Sequence, residues 1–291
     1  MINAKTAPFL ACPFDGHAMK FSDKMVTCDN NHSFNVSKYG YVNMLTNRKR
    51  FHENIGDNKE MLLSRERFLG AGYYNFLTEA IKQIIITHLP RKNKPGGISG
   101  ILEVGSGTAF YINNLKNSLD KLLPDKNFFY FGTDISKIAI ELSAKRYRDI
   151  TFIVADTYSN LPFKDKSVSV ILNIFSPRNN REFKRILKDD GLLMTVIPSK
   201  DHLNELINKL GLLGIEENKK EKVEHALDRS FKKLGDSKYK QKLLLNSNAV
   251  MDLVKMGPNY EYINDEMILK IQSINNIEVT TSFNLNIYRP K

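Results

Sequence analysis

From Ile98 onward, short apolar runs alternate with segments of helical period, and that alternation limits the architecture more than any other feature of the chain. Strands are expected at Gly100–Val104, Phe128–Asp134, Thr151–Asp156, Val168–Asn173 and Gly191–Pro198, with helices between them at Ser136–Tyr147 and Arg181–Lys188. Strands this continuously apolar are buried on both faces, which requires a parallel sheet with helices on each side. The region is therefore an α/β domain. A final run, Thr280–Tyr288, alternates apolar and polar residues and reads as a last strand on the same sheet.

Upstream, residues 57–89 carry two helical patterns broken at Gly70-Ala71-Gly72. Residues 1–50 differ, with short strand-like stretches, an Asn30-Asn31 turn and both cysteines of the chain. Three regions follow: 1–50, a helical linker 51–97 that contributes to the ligand site, and 98–291. A piece of about 45 residues needs a staple. Cys12, Cys28 and His32 supply zinc-type ligands, and a closed tetrahedral site needs a fourth. Asp15 stands where Cys12-Pro13-Phe14-Asp15 departs from the common C-x-x-C, and His17 is the alternative.

Only two cysteines argue against a disulfide scaffold. No apolar run reaches membrane-spanning length and no secretory pattern opens the chain, so a cytoplasmic protein without a membrane partner is expected. Lys and Arg total 43 against 32 Asp and Glu, a net +11 with a pI near 9.4. This excess suits a polyanionic partner, and the Arg48-Lys49-Arg50 cluster is placed to hold phosphates. The Lys-rich stretch Lys219–Lys242 reads chiefly as exposed helix.

The segment Glu103-Val104-Gly105-Ser106-Gly107-Thr108 lies where the first strand turns into a helix. Glycines there let backbone approach a ligand, and the helix start favours anionic groups. Asp134, followed by Ile135, ends the second strand and is placed for ribose hydroxyls, while Asp156 ends the third on the same rim. The set resembles the Rossmann-like class I S-adenosylmethionine-dependent methyltransferases. A dinucleotide fingerprint would want a third glycine at Phe110. Many methyltransferases carry one where Thr108 or Ala109 stands.

Three motifs together then resemble the RlmA-type 23S ribosomal RNA guanine-N1-methyltransferases, a family that includes the tylosin-resistance enzymes. They are Cys28-x-x-x-His32-x-Phe34, Lys38-Tyr39-Gly40-Tyr41-Val42-Asn43-Met44-Leu45, and the glycine loop. Gly72-Tyr73-Tyr74, Phe175-Ser176-Pro177, His202-Leu203-x-Glu205-Leu206 and Phe283-Asn284-Leu285 extend the likeness along nearly the whole chain. The resemblance implies an amino-terminal zinc domain that recognises RNA, bound S-adenosylmethionine and zinc, and methylation of guanine N1 in a hairpin of 23S rRNA. It implies that Tyr74 and His202 contact the methyl donor with the Gly105 loop and the Asp134 rim, and it leaves a homodimer open. Asp15, where the family has cysteine, is the one clear departure. N1 of guanine carries a proton, for which Asp57 is the candidate acceptor, and an extruded base needs aromatic partners, for which Tyr39, Tyr41 and Tyr73 are candidates. Phe175-Ser176-Pro177 is expected on the target-base side. The competing readings are a small-molecule methyltransferase, whose activity would be insensitive to salt, and a non-catalytic RNA-binding protein, which would bind no donor.

Overall fold

A computed structural model describes residues 2–22, 24–46, 55–88 and 98–291. The Arg48–Arg50 cluster, the 50/51 boundary and the loop at 91–97 lie outside the described residues. The predicted alternation is present: β5 (Ile98–Val104), α3 (Phe110–Leu122), β6 (Asn127–Asp134), α4 (Lys137–Arg146) and β7 (Thr151–Val154) come first. They are followed by β8 (Val168–Ile174), α5 (Asn180–Ile186), β9 (Leu187–Pro198) and α6 (Asn204–Leu210). β5 to β9 are parallel and lie in the order β9-β8-β5-β6-β7. The turn of order beside β5 places the carboxyl ends of β5, β6 and β8 around one crevice.

The Lys-rich stretch differs from its expected helix. It forms α7 (Lys219–Asp228) and then β10 (Phe231–Leu245), which with β11 (Ile277–Pro290) adds an antiparallel hairpin to the sheet. β11 lies between β9 and β10, so the run Thr280–Tyr288 is a penultimate strand and β10 is the edge. The middle of β10 is polar and mostly exposed, so periodicity gives no strand signal there. Lys232, Lys233, Lys238, Lys240 and Lys242 along this edge discourage pairing with another chain. α8 (Ser247–Lys255) and α9 (Asp265–Gln272) connect the hairpin.

Before the sheet come α1 (Lys59–Gly70) and α2 (Asn75–His88). Asn58 caps α1 by accepting the Met61 N–H at 3.0 Å. The apolar stripe of α2, Leu77, Ile81 and Ile85, is buried in the core shared with Ile112, Leu115 and Leu119 of α3.

The amino-terminal segment forms a small antiparallel sheet of β1 (Met19–Phe21), β2 (Met25–Cys28) and β3 (Ser33–Asn35). It does not stand apart. β4 (Val42–Asn43) pairs in parallel with β7 as the far edge of the large sheet, and Leu10 bridges to Phe163. Phe9 is buried with ring centroids 5.1 Å from both Phe129 and Phe131, and Cys12 and Cys28 belong to the same core as Leu102 and Val104. Burying a side chain such as Phe9 contributes about 1.5–3 kcal/mol, so the sheet supplies apolar contact that so short a segment lacks.

Candidate functional site

The crevice is built around the loop after β5. Gly105 has φ +72° and Gly107 φ +49°, and each is crowded where a Cβ would stand. At Gly105 a Cβ would lie 2.4 Å from the Ser176 Cβ; at Gly107 it would lie 3.0 Å from Nη1 of Arg65. The N–H groups of Gly105 and Ser106 both donate to the Thr133 carbonyl (2.8 and 2.9 Å), which ties the loop to the end of β6. Asp134 continues that tie: its two oxygens accept from the Gly107 N–H (2.8 Å) and the Ser136 N–H (2.9 Å). Burial raises the Asp134 pKa, opposed by those two hydrogen bonds. Ile135 packs against Gly56, and the Ser136 hydroxyl donates to the Asp57 carbonyl at 3.0 Å, so the approach to α1 covers this corner.

Glu103 has a structural task. The N-cap of α3 is Ala109, whose side chain cannot accept, and Glu103 accepts the Ile112 N–H at 3.0 Å in its place. Burial pushes its carboxyl up to about 8, against that hydrogen bond. Asp156 lies at the end of β7, beside Asp134, since the Ala155 N–H donates to the Asp134 carbonyl at 3.0 Å. Its carboxylate orders its own turn by accepting from the Tyr158 N–H and the Ser159 hydroxyl, both at 2.9 Å.

Strain marks the same rim. Ala109, Phe175 and Leu203 have φ of 58°, 53° and 60° and follow β5, β8 and β9 respectively. A left-handed non-glycine residue costs about 1–2 kcal/mol, and such residues gather at functional sites. Phe175 is 44 % exposed, whereas the turn beneath it is fixed. The Ser176 hydroxyl donates to the Val104 carbonyl (2.6 Å), and the Asn173 amide donates to Ser176 Oγ (2.6 Å) and the Pro177 carbonyl (2.8 Å).

Sequence reasoning attached no specific role to Phe283, which is a hub. Its ring lies 5.0 Å from Tyr74, 5.1 Å from Phe175 and 4.7 Å from His202. The alternating pattern of β11 shows it only as an inward strand position. His202 is buried and accepts the Ser282 N–H on Nδ1 at 3.2 Å. Burial lowers it to about 4, with Asp201 opposing and Lys219 assisting. The ring is therefore neutral near pH 7 with its proton on Nε2, so it presents a donor.

Four buried hydroxyls around this loop, those of Tyr74, Tyr111, Ser106 and Thr133, have no hydrogen-bond partner among the described residues. Each such group costs about 1–3 kcal/mol when left unpaired. A polar ligand seated on the loop gives them partners, and the residues present thus fit a nucleoside carrying an amino-acid tail. Thr108 is buried beside them.

Asp57 does not suit the role of proton acceptor. Its carboxylate is paired with the Arg65 guanidinium, which lies against Gly107 of the loop. Of the expected stacking residues, Tyr41 is withdrawn from solvent, while Tyr39 and Tyr73 are half-buried. Tyr41 is buried in the core, Tyr73 packs on Phe68 at 4.7 Å, and the Tyr39 face carries Lys145 at 4.6 Å. The aromatics that the rim does present are Phe175 and Tyr158, the latter 72 % exposed. The motif Phe175-Ser176-Pro177 signals the first, but nothing in the sequence marks the second.

A second cluster lies in the amino-terminal segment. Two tight turns carry it, each reversed by a left-handed residue: Cys12–His17 by Gly16 (φ +77°), Cys28–His32 by Asn31 (φ +62°). Ligand atoms of Cys12, Asp15, Cys28 and His32 lie within 4.8 Å of one another. His32 Nδ1 is 3.5 Å from Cys12 Sγ, 3.4 Å from Cys28 Sγ and 3.0 Å from Asp15 Oδ2, and Cys28 Sγ is 3.5 Å from that oxygen. Ligand atoms about a tetrahedral zinc stand about 3.3–3.8 Å apart, so the four fit the ion with little movement. His17 is outside the cluster; it is half-exposed and approaches Asp15 Oδ1 at 3.3 Å. Hydrogen bonding, chiefly from the His17 N–H, holds Asp15 well below the usual carboxylate range and so ready to ligate. Among the described residues, no helix is long and apolar enough to cross a membrane.

The family model described as "RlmA, N-terminal" matches residues 10–50, and one described as "Methyltransferase domain" matches 101–191. A 23S rRNA (guanine(748)-N(1))-methyltransferase of Streptomyces fradiae is 31% identical over 284 residues, covering 97% of this chain and 97% of its own. A protein of Micromonospora griseorubida named as a 23S rRNA (guanine-N(1)-)-methyltransferase is 31% identical over 297 residues, 97% of this chain and 98% of its own. A Bacillus subtilis protein named for the same modification is 35% identical over 198 residues, 67% of this chain and 66% of its own.

Proposed function

The chain belongs to the RlmA-type family of 23S ribosomal RNA guanine-N1-methyltransferases, and from that premise we propose how its own residues carry out the reaction. It is an S-adenosylmethionine-dependent enzyme that methylates N1 of a guanine in 23S rRNA. When bound, the donor supplies a methyl group activated by its sulfonium. The Gly105–Thr108 loop, Asp134, Ile135 and Asp156 would hold the nucleoside, and Tyr74 and His202 would close on it from the turn before α2 and from the segment after β9. Glu103 acts one step back by fixing the start of α3. Phe175, exposed on the rim next to the Ser176 turn, would receive the target base. Cys12, Asp15, Cys28 and His32 hold zinc in the ribbon.

The acceleration is alignment. Asp57 is ion-paired with Arg65, Asp134 and Asp156 are committed to N–H and O–H donors, and His202 offers a proton rather than a lone pair. None of these is an unengaged base, so the N1 proton passes to solvent water as the methyl group is taken up. The target guanine must lie outside a base pair, which favours an unpaired hairpin position. Ribosomal RNA as substrate makes the cytoplasm the compartment this reading requires.

The observation that carries the reading is the convergence on one rim of the crowded glycine loop, the strained and exposed Phe175, and the Phe283 hub that joins Tyr74 to His202. The test is incubation of the full chain with 23S rRNA and labelled donor, followed by primer extension, since N1-methylguanine stops reverse transcription. One donor-dependent stop at a guanine is expected. Label entering a small molecule, or an RNA substrate without such a stop, would overturn the assignment.

A further inference from the structure

Arg65 projects from α1 onto the glycine loop. Its Nη1 lies 3.0 Å from where a Gly107 Cβ would be, so the loop approaches the guanidinium only because residue 107 lacks a side chain. Two partners hold the group: the Asp57 carboxylate, and the Met256 carbonyl at 2.5 Å. A guanidinium has more donors than those partners use, and it prefers planar, two-oxygen acceptors. Arg65 is thus positioned by the protein with donors to spare, while its side chain remains about one quarter exposed.

Two hydroxyls face the same problem from the buried side. Tyr111 is in the first turn of α3, directly after the loop, and Tyr74 lies between α1 and α2. Both are buried, and neither hydroxyl has a partner among the described residues. The Tyr111 hydroxyl is within electrostatic reach of Tyr74, Glu103 and Arg65, which gathers the three polar groups at the head of β5. The start of α3 adds its positive dipole end; of its first N–H groups Glu103 takes that of Ile112, while Ala109 supplies no side-chain cap. One cation, two donor hydroxyls and a helix start describe a receptor for a small anion.

We propose that Arg65, Tyr74 and Tyr111 bind the carboxylate of the donor's amino-acid portion, with Asp57 as the positioning residue that holds Arg65 over Gly107. The assignment rests on the methyltransferase reading and extends it to residues outside the glycine loop. Arg65 comes from α1 and Tyr111 from α3, whereas Asp134 ends β6 and holds the Gly107 N–H, and the proposal assigns the first two to one end of the donor alone. A ligand lacking that end does not feel them.

The experiment is titration calorimetry on the full chain with two ligands. S-adenosylhomocysteine carries the amino-acid portion; 5′-deoxy-5′-methylthioadenosine has the same nucleoside and sulfur without it. Arg65→Met is expected to weaken S-adenosylhomocysteine by about 30-fold or more, as for loss of a charge-assisted pair, and methylthioadenosine by less than about 3-fold. Arg65→Lys should recover part of the loss, and Tyr111→Phe should weaken the first ligand alone by about 5-fold. Because Arg65→Met removes an ion pair, thermal midpoints are read alongside; should it fail to fold, Tyr111→Phe decides. Equal weakening of both ligands, or affinity for S-adenosylhomocysteine within about 2-fold of the parent, would overturn the proposal. A parent protein that binds neither ligand would overturn the donor reading itself and this assignment with it.

Discussion

The ribbon cluster and the donor crevice are both ligand sites assembled from loops, yet they are put together in opposite ways. In the ribbon, two turns of a few residues each bring Cys12 with Asp15 and Cys28 with His32 to the spacing of a tetrahedron. In the crevice, Arg65, Tyr74, Gly107, Tyr111, His202 and Phe283 come from five separate stretches of chain and meet only when the sheet is complete. A local site can be read from spacing because the turn alone fixes it. A dispersed one depends on strand order, and its polar atoms remain unpaired until the ligand arrives.

The sharpest way to break this contrast is to remove a ribbon ligand. Cys28→Ser is expected to abolish stoichiometric zinc, measured by elemental analysis. The loss should appear in one cooperative melting transition of the whole chain, since the ribbon shares a core with Leu102 and Val104. Two separate transitions would mean that the ribbon folds by itself. Conversely, Asp15→Cys should tighten zinc by about 10-fold or more in a chelator competition, because thiolate is the softer ligand.

Next in size is Gly105→Ala. The new Cβ would collide with Ser176 at a backbone angle that favours glycine, so a loss of about 2–4 kcal/mol in denaturant unfolding is expected, with donor binding lost. Retention of full stability would show that the Ser176 turn is free to move.

His202 gives a pH signature. The fold keeps the imidazole neutral down to about 4, while the unfolded ring accepts its proton near 6.5. The unfolded chain therefore binds more protons between those values, and the His202 contribution is fully present above about 6.5 and lost as pH falls toward 4. The difference between parent and His202→Gln should shrink over that window by on the order of 2 kcal/mol. A difference that does not vary with pH would mean that the ring takes up its proton in the fold as it does in the unfolded chain.

The smallest effect is opposite in sign. Tyr74→Phe removes a buried hydroxyl without a partner and should raise stability by about 1 kcal/mol while weakening S-adenosylhomocysteine. Loss of stability would show that the hydroxyl is already satisfied, and would remove one leg of the crevice argument.

The comparison also explains what the sequence discloses. β5 to β9 are legible because burial on both faces leaves a continuous apolar run, as in Val168–Ile174. The glycine loop and the rim acids are legible because they follow those strands on schedule. β10 is not, since only its ends are buried and its middle is exposed and rich in lysine. Asp57 appears as an available carboxylate in one dimension, and only the fold reveals Arg65 against it. Tyr41 shows the same limit: the sequence gives its aromatic character, while packing buries it and leaves Tyr39 and Tyr73 half-buried.

One small pairing has a mechanical consequence. Val42 and Asn43 form the outermost parallel strand, and the next residue, Met44, donates its N–H to Val154 at 2.9 Å, two residues before Asp156. The ribbon is thus bolted to the crevice through a short hydrogen-bonded lever rather than hung from a tether. Whatever grips it pulls directly on the lip of the donor pocket.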